Sequence, residues 1–521
     1  MSGNPYAASR VVLQAKWFAI AKVGVAIVSL LTQFVLVRHL SVDHYASYTI
    51  FVAGTAVLVF VTMFGMDRVI YRFMPPLREH LRWREAAALM GAMLGARLLL
   101  MATLLAILAL ASWHLLPSQL VAQLQEIKMQ TALYAIAQAC TDSLLIFCNS
   151  VGQQRTQAAF FMVAGAVRLA CVFGIMLHGS LTALDVARVF SYTELAQATG
   201  MALVLALELR HMRRQREGPS GRTPWAFGFT WRELCHDALG TQAAYLLSLP
   251  FKGALLKLIV GAVATPVMVA AFGFFQTLSD RAYMFMPVFL LKGILEPALA
   301  RDYAVRQNAE RVRMTVTLLI RVNYSIVFLG IAILLGAGQP LIDWITHDRY
   351  GSQVILAALI ALQITGLTLG ESLFFVLNPV GRIGPHNKLW MRMALPFLGV
   401  LALAAWSRNT YLLVLAATLP YFAVYLWLRR VSREPILQHG LGLNSGMWLR
   451  LAGATAAAAL AGRVLLLLPP SHALTLAAAL FTALVFVAAL RVTGLFHAAE
   501  VTSIQGVSPR LAKLIRPFSV A

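Results

Sequence analysis

The chain has 521 residues, 60% hydrophobic and 12% charged, with a formal net charge of +22 and a mean hydropathy of +0.74. That balance excludes an ordinary soluble domain and predicts an all-α polytopic membrane protein. The charge is not a nucleic-acid signature, because it is confined mainly to loops on one side of the predicted spans.

In chain order, the polar start Met1–Lys16 is followed by an apolar run to Val37, which predicts an inserted first helix and no cleavable signal peptide. Fourteen spans are predicted, at 17–37, 45–66, 86–112, 129–149, 158–177, 187–207, 239–260, 267–290, 315–336, 352–376, 393–405, 411–428, 449–468 and 473–490. Most reach the roughly 20 residues that a helix needs to cross a ~30 Å hydrocarbon core. The loops alternate. One side holds 30 of the 43 Lys and Arg, the other only Arg38, Lys128, Arg188, Arg349 and Arg408. The positive-inside rule then predicts a multi-pass inner-membrane protein with both termini cytoplasmic. The basic loops are also positioned to touch anionic lipid headgroups.

The longest connection, from Arg210 to about Asp237, is basic and carries Gly-Pro-Ser-Gly at its centre, as a linker would. The predicted organisation is a six-helix bundle over 1–209, a cytoplasmic linker over 210–238, a second six-helix bundle over 239–430, and two extra helices with a tail over 431–521. At an offset of 224 Leu31 matches Leu255, Ala46 matches Ala270 and Phe51 matches Phe275. Six spans precede a linker that does not cross the membrane, so the halves are expected to be parallel repeats with a cavity between them. Spans thirteen and fourteen, rich in Ala and Leu, read as an appendage. Cys140, Cys148 and Cys171 lie in spans and Cys235 in a loop, without the spacing of a disulfide or metal framework.

Three segments carry a family resemblance. Phe34-Val-Leu-Val-Arg38-His-Leu40-Ser-Val-Asp43-His-Tyr45-Ala-Ser-Tyr48 resembles the end of the first helix of bacterial polysaccharide flippases, with Ala46 where those usually have Gly. Leu295-Glu-Pro297-Ala-Leu-Ala-Arg301-Asp-Tyr303, with Ala309-Glu-Arg311-Val-Arg313, resembles their loop between helices eight and nine. Leu377-Asn378-Pro-Val-Gly381-Arg382 resembles their exit from helix ten. From about Val12 to Leu428 the chain is similar to the Wzx-type lipid-linked oligosaccharide flippases of the multidrug/oligosaccharidyl-lipid/polysaccharide (MOP) exporter superfamily. The resemblance implies twelve to fourteen helices in two bundles. It also implies an undecaprenyl-pyrophosphate-linked oligosaccharide as cargo for exopolysaccharide, O-antigen or capsule assembly, no cofactor, and a polysaccharide polymerase and chain-length regulator as partners.

Eight cations fall inside the spans: Lys22, Arg97, Arg168, Lys252, Lys257, Arg281, Arg321 and Arg463. A charge at the centre of a span costs ~2.5–3.5 kcal/mol on insertion scales and calls for a partner or a wet cavity. Arg321 and Arg463 are near span ends, where snorkelling is expected. Lys22, Arg97, Arg168, Lys252, Lys257 and Arg281 are the candidates for a cationic cavity that meets a pyrophosphate, for which Arg offers bidentate donors and Lys a point charge. The competing reading pairs Arg97 or Arg168 with Asp142 or Glu194 to lock the first bundle. Asp142, Glu194, Asp280 and Glu371 are the candidates for coupling to a proton or sodium ion. Pro250, just before Lys252, is the hinge candidate.

Other readings compete. An O-acyltransferase needs a catalytic His in or beside a span, and a polymerase or ligase usually presents a long periplasmic loop that this chain lacks. A multidrug or cation antiporter calls for an acidic or apolar cavity. A lipid II flippase carries the same pyrophosphate and is separated from the preferred reading only by the motifs.

Overall fold

The computed structural model describes residues 8–79, 82–115, 125–151, 153–216, 246–290, 309–377, 383–431, 443–469 and 471–494, with a few isolated positions besides. Among the described residues the regular structure is helical, with 3-10 turns at Leu249–Phe251 and Gly351–Gln353, apart from a two-residue parallel bridge between Phe496–His497 and Ser519–Val520. In the bilayer core a backbone must satisfy its own hydrogen bonds, so helices are the solution for apolar segments of this length. Every one of the fourteen predicted spans overlaps a helix. Among the described residues nine helices are long and apolar enough to cross a membrane. This is a multi-pass membrane protein.

The chain divides into two compact units, Met1–Ala270 and Ala271–Ala521. The first contains α1 (Ala8–His39), α2 (Val42–Val61), α3 (Met66–Glu79), α4 (Trp83–Leu115), α5 (Lys128–Ser150), α6 (Gln154–His178), α7 (Ala183–Arg216) and α8 (Gly253–Val263). Its main packing pairs are α5 with α7, α1 with α6, α6 with α7 and α8 with α2. The flippase-like segment begins to make structural sense here. Ser41 caps α2 by accepting a hydrogen bond from the His44 N–H at 3.2 Å, and Asp43 sits in the first turn, where the helix dipole favours an anion. Leu40, Tyr45 and Tyr48 are buried against neighbouring helices.

The seventh predicted span is not a kinked continuous helix but a broken one. Leu249–Phe251 forms a 3-10 turn around Pro250, Lys252 is extended (φ −95°, ψ 147°), and α8 starts at Gly253. Proline has no N–H to continue the ladder, and Lys252 N–H closes the turn on the Leu249 carbonyl at 3.0 Å. The resulting 11-residue α8 is too short to span a bilayer by itself. It packs on α2 within the first unit, although the sequence places this span with the second bundle. The boundary between compact units therefore falls after the seventh span; residues 217–241 of the predicted linker lie outside the described residues.

The helix α9 (Pro266–Phe285) runs across the boundary at Ala270. The second unit continues with α10 (Pro287–Leu290), α11 (Ala309–Thr346), α12 (Val354–Leu377), α13 (Ile383–Trp406), α14 (Thr410–Val431), α15 (Ser445–Leu465) and α16 (His472–Thr493). Spans thirteen and fourteen are more than an appendage. Met447, Leu451, Ala454, Ala458, Phe486 and Leu490 of α15 and α16 share one core with Val316, Ile320 and Tyr324 of α11. The approach is close because Gly462 and Gly336 face each other: a Cβ on Gly462 would overlap the Thr482 hydroxyl and lie 3.2 Å from the Gly336 Cα.

Candidate functional site

Each unit carries its own charged cluster within the spans. In the first, Arg97 of α4 is fully buried and donates to the Ser143 hydroxyl (2.8 Å) and to the Val59 carbonyl (2.9 Å). Its guanidinium is 3.8 Å from the Asp142 carboxylate. One side chain thereby joins α2, α4 and α5. Arg168 of α6 donates to the Glu194 carboxylate (2.9 Å) and the Thr193 hydroxyl (3.1 Å), both on α7, and stacks 4.4 Å above the Phe190 ring. Both ion pairs that the sequence offers as bundle locks are made.

An aromatic network surrounds the Arg168–Glu194 pair. Phe190 meets Tyr48 at 5.7 Å and Tyr134 at 6.2 Å between ring centroids, and Tyr134 meets Phe51 at 5.1 Å. Tyr45 donates its hydroxyl hydrogen to Gln33 Oε1 (3.1 Å), while Gln33 Nε2 donates to the Tyr48 hydroxyl (2.7 Å). The two tyrosines of the flippase-like segment are thus held by one glutamine on α1.

The remaining first-unit cations differ in setting. Lys252, at the break before α8, holds its ammonium 4.2 Å from the Phe60 ring. Its extended backbone sets it apart from the helical cations. Lys257 is buried on α8. Lys22 is helical within α1, and its side chain lies outside the described residues.

In the second unit the acidic candidates lie on two helices, Asp280 on α9 and Glu371 on α12. Asp280 accepts a hydrogen bond from Gln276 Nε2 at 3.0 Å. Tyr283, one turn along α9, meets Phe289 at 4.0 Å between ring centroids. Tyr421 stacks on Trp390 at 5.2 Å and lies against Gly366 and Gly370 of α12. Arg281 is half-buried, and among the described residues no carboxylate or hydrogen-bond acceptor pairs with it. Arg321 does not snorkel as its position near a span end suggests; it is 3% exposed, inside the core of α11. Arg463 stays exposed and donates to the Leu335 carbonyl at 3.0 Å.

Sequence reasoning missed Gln33, Ser143, Thr193, Tyr134, Phe190, Tyr283, Tyr421 and Trp390. Neutral polar and aromatic residues are common in membrane helices, and only their neighbours across helices mark these. The segments 295–303 and 378–382 lie outside the described residues. Among the described residues no group of three His, Cys, Asp or Glu side chains is placed to hold a metal ion. An open apolar groove of about 550 Å³, lined by Cys171, Gly174, Ile175, His178, Gly179 and Val189, lies on the first unit and includes none of the clustered charges.

No family model and no curated protein matches the chain. Solved structures do. The lipid II flippase MurJ in an inward closed conformation superposes with a TM-score of 0.63 at 10% identity, over 91% of this chain and 98% of that one. An inward-facing multidrug resistance MATE transporter of the MOP superfamily gives 0.54 at 15%, over 79% and 97%. An outward-facing MATE transporter of that superfamily gives 0.50 at 15%, over 82% and 96%. The chain therefore has the fold of MOP-superfamily transporters, a class of membrane flippases and exporters.

Proposed function

We propose that the protein flips undecaprenyl-pyrophosphate-linked oligosaccharide repeat units from the cytoplasmic to the periplasmic face of the inner membrane, for polysaccharide assembly. The observation that carries the reading is Arg281, a half-buried guanidinium one turn before the end of α9 that has no carboxylate partner among the described residues, in a fold of flippases and exporters. A cation within a bilayer that lacks a carboxylate is costly, and a phosphate oxygen removes that cost with bidentate hydrogen bonds. A cationic drug gains nothing from such a group, which disfavours the multidrug reading. Lys252, held at a helix break against an aromatic ring, is the first-unit counterpart. Arg97 is enclosed by its own partners and acts as a lock in this arrangement. Alternating access is supported by neighbours of this fold in both inward- and outward-facing conformations.

Glu371 and Asp280 in the second unit, and Glu194 and Asp142 in the first, are the ion-coupling carboxylates of this proposal. The experiment is turnover of lipid-linked oligosaccharide in reconstituted vesicles, followed by its accessibility with and without an imposed proton or sodium gradient. Glu194→Gln or Glu371→Gln is expected to remove the gradient response. Gradient-independent turnover in the wild type refutes coupling and leaves polymerisation of the product as the driving force. Lipid II flipping is the second reading, favoured by the MurJ likeness. Competition between the two pyrophosphate lipids in the same vesicles separates them.

A further inference from the structure

Where α3 ends, α4 begins and α7 runs out of the apolar region, the first unit gathers arginines around one tryptophan. Trp83 opens an apolar span, Trp83–Leu110, and packs its ring against the core containing Leu77, Ala86 and Met212. The guanidinium of Arg84 lies 5.4 Å from the centre of that ring, and that of Arg213, from a helix 130 positions away in sequence, lies 5.5 Å from it. Both contacts are cation–π in kind. Among the described residues, Glu208 accepts from Arg78 at 2.7 Å and from Gln153 at 3.0 Å, and Glu85 pairs with Arg82 at 3.2 Å. Arg84, Arg210 and Arg214 are exposed and make no ion pair among the described residues.

Two like charges held at one ring raise the local positive potential, which an anion beside them lowers. Tryptophan at the end of an apolar span marks the depth of lipid headgroups, and clustered arginines at that depth recognise anionic ones. We infer that Trp83, Arg84 and Arg213, with Arg210 and Arg214 at the rim, form a binding site for the phosphate headgroup of an anionic membrane phospholipid. The site is distinct from the charges inside the spans and independent of the cargo proposed above.

Native mass spectrometry of the full-length protein in detergent, titrated with phosphatidylglycerol or with phosphatidylcholine of the same acyl chains, tests this. Arg84→Gln with Arg213→Gln is expected to lower retained phosphatidylglycerol at least fivefold and to change phosphatidylcholine less than twofold. Trp83→Ala gives a similar loss, and Trp83→Phe retains more than half. Arg429→Gln with Arg430→Gln, the same charge change in the second unit, shifts phosphatidylglycerol less than twofold. If the ring-site double variant is not monodisperse, Arg210→Gln with Arg214→Gln takes its place, with a twofold loss required. Retention equal to wild type, or equal losses from the two units, overturns the site. So does displacement of the lipid by inorganic phosphate beyond that by chloride at equal ionic strength, which assigns the arginines to free phosphate.

Discussion

Replacing Arg97 by Met keeps a long, unbranched side chain while deleting the charge and every donor. Two charge-assisted hydrogen bonds disappear, to Ser143 at 2.8 Å and to the Val59 carbonyl at 2.9 Å; bonds of this kind contribute ~1.5–3 kcal/mol each. Removing one partner of a buried ion pair costs roughly 3–5 kcal/mol. Here that figure is discounted, because the Asp142 carboxylate is 3.8 Å away, at the long end for an ion pair. Methionine also recovers the cost of keeping a guanidinium out of water. The expected net loss is therefore about 2–4 kcal/mol, and Arg97→Met with Asp142→Asn should recover about 1 kcal/mol of it. Denaturant unfolding of the purified protein in detergent measures the loss, and vesicle turnover normalised to folded protein measures function. Turnover per folded molecule is expected to stay within twofold of wild type. A variant as stable as wild type whose turnover falls tenfold would refute the lock and make Arg97 a substrate contact.

Arg281→Ala is expected to behave in the opposite way: stability within about 0.5 kcal/mol of wild type, as for a side chain without partners, but turnover reduced about tenfold or more, the loss of one charge-assisted bond to phosphate. Equal turnover removes Arg281 from the cargo path. Gly462→Ala forces a methyl into the Thr482 hydroxyl and toward Gly336; overpacking at ~1–3 kcal/mol outweighs the gain of up to ~1 kcal/mol in helix propensity. Its thermal aggregation temperature should fall, and Gly462→Val should fall further. Unchanged temperatures would show that α15 does not depend on this close approach. For orientation, cysteines at Thr182 and Gln339 should label from the periplasm and one at Arg214 should not. Reversed labelling overturns the cytoplasmic assignment.

That each of the fourteen predicted segments holds helix was legible in the sequence, and nine of the described helices are long and apolar enough to cross, because a bilayer imposes length, apolarity and internal hydrogen bonding on each crossing segment alone. Loop charge was equally legible, since the asymmetry of Lys and Arg is a one-dimensional pattern. Membership in the flippase and exporter fold followed from short segments, of which Ser41, Tyr45 and Tyr48 prove to be a helix cap and two members of a Gln33-centred network. What the sequence could only pose as alternatives was the fate of the intramembrane charges. Arg97 and Ser143 are 46 residues apart and Arg168 and Glu194 are 26 apart, so their pairing depends on which helices touch and how each is rotated. Tertiary structure alone closed those two pairs, left Arg281 without a carboxylate among the described residues, turned the Pro250 kink into a break, and set α15 and α16 into the core of the second unit. Hydropathy records how much of a helix is apolar; only packing decides which neighbour each face meets.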